Sequence, residues 1–386
     1  MRRIKTAVFG TGFMGRVHLE ALRRVEFVDV AAIVGRNAVA AEKLGSAFGI
    51  PHLAPEAILQ DPSIQAIHIC TPNAQHFSMA QEALLAGKHV LCEKPVAITV
   101  DEAKELVALA KRKNLRAGVC HNLRFYPMVQ QMRSLRESGE LGEILIVQGT
   151  YLQDWLLYDT DWNWRVDAKI GGPSRCMADI GSHWFDAAEH TSGLRVTSLC
   201  ADLQIFHATR KRPKHSVETF AGKTFHPDDF IATQVDTEDF GAVIFRMGDR
   251  ARGAMTASQV SAGNKNRLSI EIYGSKASVA WSQERPDELW MGHRDSGNRV
   301  LIKDPSLLAP QARSYADLPR GHSEGYDDTF KQIFRRFYAS VGDPSAIAEY
   351  PQFSDGLRQM ILLDAVMKSS IARTWVPVLA PNISAS

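Results

Sequence analysis

The amino-acid sequence predicts an α/β protein with a parallel sheet in its N-terminal part. An α+β part with a large, open, mostly antiparallel sheet is predicted to follow. Through the first 120 residues, short apolar segments alternate with helical patterns, which is typical of a parallel sheet with helices on both faces. Beyond about residue 122, strand-like segments follow one another without long helices between them, which indicates antiparallel pairing. A chain of 386 residues suits two domains, which we expect at residues 1–122 and 123–386.

The elements of the first domain follow one another regularly. Strands are predicted at residues 5–9, 28–34, 66–70, 89–92 and 116–120, and helices at residues 13–24, 38–48, 77–86 and 99–113. The last of these helices has the clearest start, because Thr99 with Glu102 three residues later forms a capping-box pattern. Strand and helix therefore alternate through the whole domain.

Alternation of apolar and polar residues marks the strands of the second domain. Strands are predicted at residues 143–153, 196–205, 232–246, 252–258, 268–273 and 277–281, and helices at residues 127–138, 183–191, 326–341 and 355–372. The helices frame the run of strands, so this domain is predicted to be α+β.

Composition and charge exclude several classes of protein. The 45 basic and 43 acidic residues give a net charge of +2, which argues against a nucleic-acid-binding face or a membrane-surface patch. A short basic run at residues 210–214 is predicted to be a solvated loop, with an anion or partner site as the alternative. The five cysteines have neither metal-ligand nor redox spacing, and no stretch is apolar enough to span a bilayer. We therefore expect a cytoplasmic protein without a metal, a nucleic-acid partner or a membrane partner.

A glycine-rich turn follows the first predicted strand and begins the first helix. Gly10, Gly12 and Gly15 form the pattern G-x-G-x-x-G, with Phe13 and Met14 between the last two glycines. In this context the first glycine permits a tight turn, the second lets the backbone approach a pyrophosphate, and the third allows close packing of helix on strand. The helix N-terminus also attracts phosphate. The sequence thus predicts a Rossmann domain that binds NAD or NADP through these five residues.

The end of the second strand bears on the choice between NAD and NADP. Gly35 and Arg36 follow this strand, and the acidic residue that would hold the ribose 2′-hydroxyl of NAD is missing. Arg36 is able to pair with a 2′-phosphate, which favours NADP slightly. Stacking of Arg36 on the adenine is the alternative, and it leaves NAD open.

A second set of candidate cofactor residues follows the third strand. Thr71, Pro72 and Asn73 lie just past this strand, and His76 begins the next helix. Loops at the carboxyl ends of parallel strands face the ligand crevice, so these four residues are predicted to line the nicotinamide side. A plain helix-capping loop is the alternative, because proline and asparagine are ordinary turn residues.

The segment at residues 86–95, AGKHVLCEKP, ends in Glu93, Lys94 and Pro95. A Glu-Lys-Pro element downstream of the glycine motif resembles the Gfo/Idh/MocA oxidoreductases, and the similarity extends over nearly the whole chain. The resemblance implies that Glu93 and Lys94 lie at the cofactor, that Lys94 reaches the reacting hydroxyl, and that Pro95 is cis. It also implies that the second sheet has one open face, through which copies of the chain form a homodimer or homotetramer.

Asp179 and His183 resemble a second element of that family, an Asp-x-x-x-His pair whose histidine is the acid/base. The spacing of four puts both side chains on one face of a helix. Removing hydride from a carbinol carbon also requires removing the hydroxyl proton, and an imidazole suits that role. A lysine beside it polarises the oxygen, and a carboxylate either orients the imidazole or binds a neighbouring hydroxyl. Lys94, Asp179 and His183 are therefore the predicted catalytic residues, whereas histidines such as His18 are expected to be structural.

Candidate substrate residues come from several segments. Aromatic faces beside polar groups suit a sugar ring, and packing of the tryptophans within a loop is the alternative. The predicted substrate-binding residues are Asn122, Arg124, Tyr151, Gln153, Trp164, Arg165, Asp179, His183 and His322. Few of these are cations, so we expect an unphosphorylated sugar, pyranoside or cyclitol as the partner. A looser similarity around Tyr151 and Trp164 to the pyranoside-oxidising branch of the family suggests oxidation of a ring hydroxyl.

The sequence therefore predicts an NAD(P)-dependent oxidoreductase that acts on a CH–OH group, with His183 as acid/base and Lys94 polarising the oxygen. One alternative is an NAD-dependent glycoside hydrolase that oxidises C3 transiently. Another is a cofactor-sensing regulator without turnover. The intact set of Lys94, Asp179 and His183 argues against the regulator, because a sensor need not keep an acid/base set.

Overall fold

Two large sheets organise the chain, of which the computed structural model describes residues 3–214, 230–343 and 345–380. The elements of the first sheet and its helices are β1 (Ile4–Phe9), α1 (Phe13–Leu22), β2 (Val28–Val34), α2 (Ala38–Phe48), α3 (Pro55–Gln60), β3 (Ile64–Ile69), α4 (His76–Leu85), β4 (His89–Cys92), α5 (Val100–Lys113) and β5 (Ala117–Val119). The five strands are parallel, in the order β2-β1-β3-β4-β5. The predicted Rossmann sheet is confirmed, and the short helix α3 was not predicted.

The start of α5 confirms the predicted capping box. The Thr99 side chain accepts a hydrogen bond from the Glu102 backbone N–H at 3.2 Å, and the Glu102 carboxylate accepts one from the Thr99 N–H, also at 3.2 Å. Two backbone donors that the helix leaves without a partner are thereby satisfied. This fixes where the loop after β4 ends, and that loop carries Lys94.

The second sheet contains nine strands, in the order β15-β14-β13-β12-β6-β11-β10-β7-β16. The remaining elements of the chain are α6 (Pro127–Glu137), β6 (Ile144–Leu152), α7 (Ala168–Gly171), α8 (Ser182–Ser192), β7 (Val196–Gln204), β8 (Thr209–Pro213), β9 (Phe230–Gln234), β10 (Phe240–Met247), β11 (Ala251–Ser258), β12 (Arg267–Gly274), β13 (Ser278–Ser282), β14 (Glu288–Gly292), β15 (Arg299–Ile302), α9 (Pro310–Arg313), α10 (Tyr326–Gly342), α11 (Phe353–Ala372) and β16 (Val376–Pro377). Among the described residues of this sheet, only β6 and β11 pair in parallel. The predicted large, mostly antiparallel sheet is therefore confirmed.

The predicted strand at residues 232–246 is wrong in one respect, because the chain breaks there into β9 and β10. Four consecutive polar residues, Asp236 to Asp239, interrupt the alternation between the two strands, and the predicted strand ran across them. The intervening turn carries Glu238 and Asp239, which are 5% and 0% exposed. The strand β9 pairs with β8 in a separate two-stranded sheet.

The prediction of a solvated loop at residues 210–214 is also wrong. All but the last of these residues lie in β8, and Arg210 is fully buried. Its guanidinium donates to the backbone carbonyls of Leu156 and Tyr158 and to the Asp239 carboxylate, the last at 2.6 Å. The neighbouring Lys211 keeps a half-exposed side chain. A basic run that looks solvated thus contributes one cation to the core, where a carboxylate compensates it.

The two C-terminal helices return to the first domain. Phe330, Phe334 and Phe337 of α10 share an apolar cluster with β1 and α1 residues such as Val8 and Leu19. The helix α11 packs beside α5 and β7. These helices hold the two sheets against each other. Across the described ranges, no helix is both long enough and apolar enough to cross a membrane.

The face of the second sheet that points away from the core is mixed in character. Ile244 and Val300 are each 51% exposed there. Between them, neighbouring strands place Gln148 opposite Glu271, and the amide donates to the carboxylate at 2.8 Å. The apolar face that the resemblance implied is therefore divided by a polar centre.

Candidate active site

The glycine turn after β1 has the shape that a dinucleotide requires. Gly10 has φ +118°, and a Cβ atom there would lie 2.5 Å from the carbonyl oxygen of Cys70. A Cβ at Gly15 would lie 2.0 Å from the Gly10 oxygen, whereas a Cβ at Gly12 would meet nothing within 4 Å. Gly12 precedes α1 without a side-chain cap, and the first turn of α1 carries no acidic residue. The backbone N–H groups at this helix end are therefore suited to a pyrophosphate.

The other residues predicted to bind the cofactor near this turn lie at the same edge. Phe13 is 46% exposed at the start of α1, and Met14 is half-buried against the neighbouring core. A Cβ at Gly35 would lie 2.5 Å from the Thr11 side chain, so β2 approaches the glycine turn closely. Arg36 is exposed just beyond it. These residues fit a nicotinamide dinucleotide laid across the ends of β1 and β2.

The loop after β3 is joined to the second domain and to the loop that carries Lys94. The Asn73 side-chain amide donates to the carbonyl oxygen of Gly171 at 2.7 Å. His76 is buried, and its ring nitrogens lie 2.7 Å from the Pro95 oxygen and 2.8 Å from the Thr71 oxygen. His76 therefore connects the loop after β3 with the loop after β4. Thr71, Pro72 and Asn73 are half-buried at the crevice.

Glu93 and His18 form a buried pair beneath the cofactor crevice. Oε1 of Glu93 lies 3.0 Å from Nε2 of His18, and Oε2 accepts a hydrogen bond from the Lys94 backbone N–H at 3.3 Å. Burial opposes ionisation of Glu93, but the His18 hydrogen bond and charge outweigh it, so the pKa of Glu93 is lowered. Glu93 thus anchors the backbone of Lys94, and His18 has the structural place expected of it.

A row of buried polar side chains continues from His18. Its Nδ1 lies 2.8 Å from Nδ1 of His68, whose Nε2 lies 2.7 Å from the Tyr338 hydroxyl on α10. Burial lowers the pKa of His68 well below its ordinary value. Cys120 lies 3.9 Å from Nε2 of His18, and with Glu93 these groups could together ligate a metal. Both nitrogens of His18 are already engaged in hydrogen bonds, which accounts for the cluster without an ion.

Lys94 and Asp179 meet at the junction of the two domains. The Lys94 ammonium donates to Oδ1 of Asp179 at 2.8 Å and to the Asp179 backbone oxygen at 2.6 Å. An ammonium has three donors, so one remains for a ligand. The Lys94–Pro95 peptide bond is cis, as the resemblance implied.

Asp179 is the hub of the site. Besides Lys94, Arg165 donates to Oδ1 at 3.2 Å and the Gln259 amide donates to Oδ2 at 2.9 Å. Burial alone would raise the pKa of Asp179, but the charges of Lys94 and Arg165 hold it well below its usual range. The carboxylate is therefore an ionised acceptor whose two oxygens are already engaged.

A wide helical turn at Met177–Gly181 presents Asp179, with the Ser182 N–H bonded to the Met177 oxygen five residues back. Such turns are frequent at functional sites. One oxygen of Glu238 accepts from the backbone N–H groups of Arg175 and Met177, at 3.0 and 2.9 Å. The turn between β9 and β10, across which the predicted strand ran, thus holds the helical turn that carries Asp179.

His183 lies beside Asp179 but is not hydrogen-bonded to it in the described part of the chain. It is 9% exposed, and its Nδ1 is buried without a hydrogen-bond partner among the described residues. Burial, followed by the charge of Lys94, lowers the pKa of His183 well below its ordinary value. The ring packs edge-to-face on His121, with centroids 5.6 Å apart, and lies 6.5 Å from Tyr151. His183 is therefore a neutral imidazole at physiological pH.

Several predicted sugar-binding residues surround this group. The Arg165 guanidinium stacks over the Trp164 ring, 4.4 Å from its centroid. The Tyr151 hydroxyl and the Gln153 amide both donate to Oδ1 of Asn266, each at 2.8 Å. The structure thus brings one aromatic face, one guanidinium and a polar wall to the site that holds Lys94, Asp179 and His183.

Three predicted substrate residues have other partners. Arg124 is bound by the carboxylates of Asp186 and Asp355, and the Asn122 amide donates to the Thr329 hydroxyl at 2.8 Å. His322 is exposed, and its backbone oxygen accepts from Lys303. The structure does not join these three side chains to the Lys94–Asp179 group.

Sequence reasoning missed other residues that lie at the site. Gln259 and His121 are fully buried against Asp179 and His183, and lone residues of this kind have no local pattern. Asn163 accepts from Arg165 at 3.2 Å, and Asn266 holds Tyr151. Their signal lies only in the folded arrangement, because each partner is distant in sequence or belongs to a turn of irregular shape.

Two protein-family models match the chain. The model described as the oxidoreductase family with an NAD-binding Rossmann fold matches residues 4–121. The model described as the GFO/IDH/MocA C-terminal domain matches residues 129–280. Together they cover the first sheet, the central strands of the second sheet and every residue of the Lys94–Asp179–His183 group.

Similar proteins include several dehydrogenases. Levoglucosan dehydrogenase of Pseudarthrobacter phenanthrenivorans is 29% identical over 401 residues, covering 100% of both chains. Glucose-6-phosphate 3-dehydrogenase of Bacillus subtilis is 26% identical, covering 98% of this chain and 99% of its own. A solved structure of levoglucosan dehydrogenase with NADH and levoglucosan superposes with a TM-score of 0.86 at 27% identity, covering 98% of this chain and 100% of that one.

Proposed function

This chain belongs to the Gfo/Idh/MocA family of oxidoreductases, and on that premise we propose that it oxidises a secondary hydroxyl of an unphosphorylated sugar, pyranoside or cyclitol. His183 takes the hydroxyl proton, and Lys94 polarises the oxygen. The observation that carries this proposal is the meeting of a neutral, buried imidazole with the Lys94–Asp179 ion pair at the edge of the nicotinamide domain.

The proton leaves the substrate hydroxyl for Nε2 of His183 in this proposal. Nδ1 is buried and out of reach of solvent, so Nε2 is the nitrogen left to face a substrate. A neutral imidazole is the form that accepts a proton, and the low pKa of His183 keeps it in that form. A nicotinamide held at the glycine turn and the loops after β2 and β3 would supply the hydride acceptor for the carbon that bears this hydroxyl, and the products would be a ketone, reduced cofactor and one proton.

Lys94 supplies positive charge where negative charge develops. Two of its three donors are engaged by Asp179, which fixes the ammonium in place before substrate arrives. The third donor is available to the substrate oxygen and stabilises it as the proton departs. Arg165 and Gln259 hold the ionised Asp179 carboxylate in place. The carboxylate in turn restricts the Lys94 side chain to one position.

Charge accounting supports an unphosphorylated substrate. Among the described residues, Arg165 and Lys94 share the Asp179 carboxylate, and Lys265 is paired with Asp154 at 2.6 Å. A phosphate is bound best by guanidinium or ammonium groups that have no competing carboxylate. Relatives are named for levoglucosan and for glucose 6-phosphate, so similarity alone leaves the charge of the substrate open.

The cofactor proposal keeps both dinucleotides, with a slight preference for NADP. Arg36 is exposed beyond β2, where the ribose of the adenosine half would lie. The relatives solved with NADH support use of NAD as well. Arg36 is the residue expected to set the ratio.

We also propose a homodimer or homotetramer joined through the outer face of the second sheet. Apolar side chains such as Ile244 and Val300 are half-exposed on either side of its polar centre, and packing against a second copy would remove them from water. Light scattering should give two or four times the chain mass of 42.8 kDa, and a mass of 42.8 kDa would exclude the proposal.

The function is tested by offering the purified protein NAD or NADP with paired substrates. Each pair contains one unphosphorylated pyranoside and its 6-phosphate, alongside levoglucosan and inositols, and reduced nicotinamide is followed by absorbance. Turnover of the unphosphorylated member alone supports the proposal. Preference for the phosphorylated member would contradict the substrate class. Release of a sugar product without net cofactor reduction would support the hydrolase instead.

A further inference from the structure

A catalytic histidine is usually oriented by a hydrogen bond from its inner nitrogen to a carboxylate or a backbone carbonyl. His183 has no such bond among the described residues, although Asp179 lies four positions before it. The two oxygens of Asp179 are already engaged by Lys94, Arg165 and Gln259. Something other than the carboxylate must therefore hold the imidazole at its angle.

The ring of His121 is the group in position to do so. Its centroid lies 5.6 Å from that of His183, and the two planes are at 89°. This is an edge-to-face contact, which aromatic rings prefer and which restricts rotation of both side chains. Tyr151 packs on His183 less squarely, at 6.5 Å and 55°, and its hydroxyl is fixed by Asn266.

His121 is itself buried and without charge. It is 1% exposed, at the end of β5, and its Nδ1 is also buried without a partner among the described residues. Burial, the largest influence, lowers the pKa of His121, and the nearby charges of Arg124 and Asp186 act in opposite senses. A neutral, buried ring is therefore packed against His183.

We propose that His121 is the positioning residue of His183, orienting the base by edge-to-face packing where other sites use a hydrogen-bonded carboxylate. This inference rests on the proposed function, because it assumes that His183 is the base. His121 does not touch the substrate in this account. It acts by keeping the imidazole at the angle that presents Nε2 to the hydroxyl.

Two variants of His121 distinguish the contribution of the aromatic ring from that of its nitrogen atoms. His121→Phe keeps an aromatic ring at the contact, and His121→Leu keeps similar bulk without one. We expect kcat of His121→Leu to fall about 10- to 100-fold with an unchanged KM for the cofactor, since misplacement of a reacting group costs this much. His121→Phe should restore kcat to within about threefold of wild type. His89→Leu, at the opposite end of β4 from Lys94, is the control for loss of a partly buried histidine.

Nitrogen-15 NMR of the labelled histidines supplies a readout that a merely structural role would not move. The ring resonances of His183 should be sharp and single in wild type and in His121→Phe, and broadened by exchange between ring orientations in His121→Leu. The proposal would be overturned if His121→Leu kept the wild-type kcat. It would also be overturned if His121→Phe bound cofactor but was as inactive as His121→Leu. If His121→Leu does not bind cofactor, the phenylalanine variant decides alone, by retention or loss of activity. Full activity of His183→Ala would instead contradict the proposed function, and the line-shape measurement on the other variants would still report on positioning.

Discussion

The side-chain amide of Gln259 donates a hydrogen bond to Oδ2 of Asp179 at 2.9 Å from a position with no exposure to solvent. Because Gln259 occupies Oδ2, Lys94 and Arg165 both donate to Oδ1. The bond also fixes the plane of the carboxylate. The end of β11 therefore helps to set where the Lys94 ammonium lies.

Replacement of Gln259 by leucine should lower catalysis while leaving cofactor binding intact. A hydrogen bond to a charged group contributes about 1.5–3 kcal/mol, so we expect kcat to fall about 10- to 100-fold. Steady-state kinetics and cofactor titration measure both effects. Gln359→Leu, at a buried glutamine of α11, is the matched control. Equal kcat in wild type and Gln259→Leu would show that Asp179 needs no such support.

Substitution of Arg36 should change the choice of cofactor. Without the guanidinium, a 2′-phosphate loses its charged partner, and Arg36→Ala should raise KM for NADP about tenfold while KM for NAD changes little. The ratio of kcat/KM for the two cofactors gives the answer directly. An unchanged ratio would mean that the arginine stacks on the adenine or does not contact the cofactor.

The buried carboxylate of Asp239 should matter greatly for stability. It lies between the guanidinium groups of Arg175 and Arg210, and all three side chains have no solvent exposure. Asp239→Ala leaves two buried cations without their counter-charge, and breaking a buried pair in this way costs about 3–5 kcal/mol. Asp29→Ala removes the partner of the exposed Arg3 and should cost far less, because solvent screens that ion pair.

Denaturant unfolding of both variants tests this contrast. A similar loss of unfolding free energy in the two would contradict the account. The same network holds the turn that carries Asp179, so we expect Asp239→Ala to lose activity together with stability.

These interactions show where sequence reasoning succeeds and where it stops. The glycine turn and the capping box at Thr99 were predictable because each lies within a few consecutive residues and has one physical reason. The burial of Arg210 was not, because its carboxylate partner is 29 residues away and no local pattern links the two.

The site itself divides in the same way. The spacing of Asp179 and His183 predicted that they lie together, and the structure places them in one helical region. The spacing could not tell that Asp179 is engaged by Lys94, Arg165 and Gln259 and leaves His183 to aromatic packing. That arrangement depends on strand ends contributed by both sheets.

The low pKa of His183 predicts how activity responds to acid. The neutral imidazole is the active form for oxidation, and it persists until the pH falls through that lowered pKa. Between about pH 8 and pH 6, kcat/KM for the sugar should therefore stay nearly level, whereas a base of ordinary pKa near 6.5 would lose about three-quarters of its active form at pH 6. Cofactor binding at each pH is the control. A fall with a midpoint near pH 6.5 would show that His183 is less desolvated than its burial indicates.

The most direct test of the central claim is the rate of cofactor reduction by His183→Ala with the best substrate found for the wild-type protein. Cofactor binding and the unfolding midpoint establish that the variant is folded. The account predicts a loss of about 100- to 10,000-fold in kcat, the usual contribution of a general base, with cofactor affinity unchanged. A folded variant that keeps more than about one-tenth of the wild-type kcat would contradict the assignment of His183 as the base.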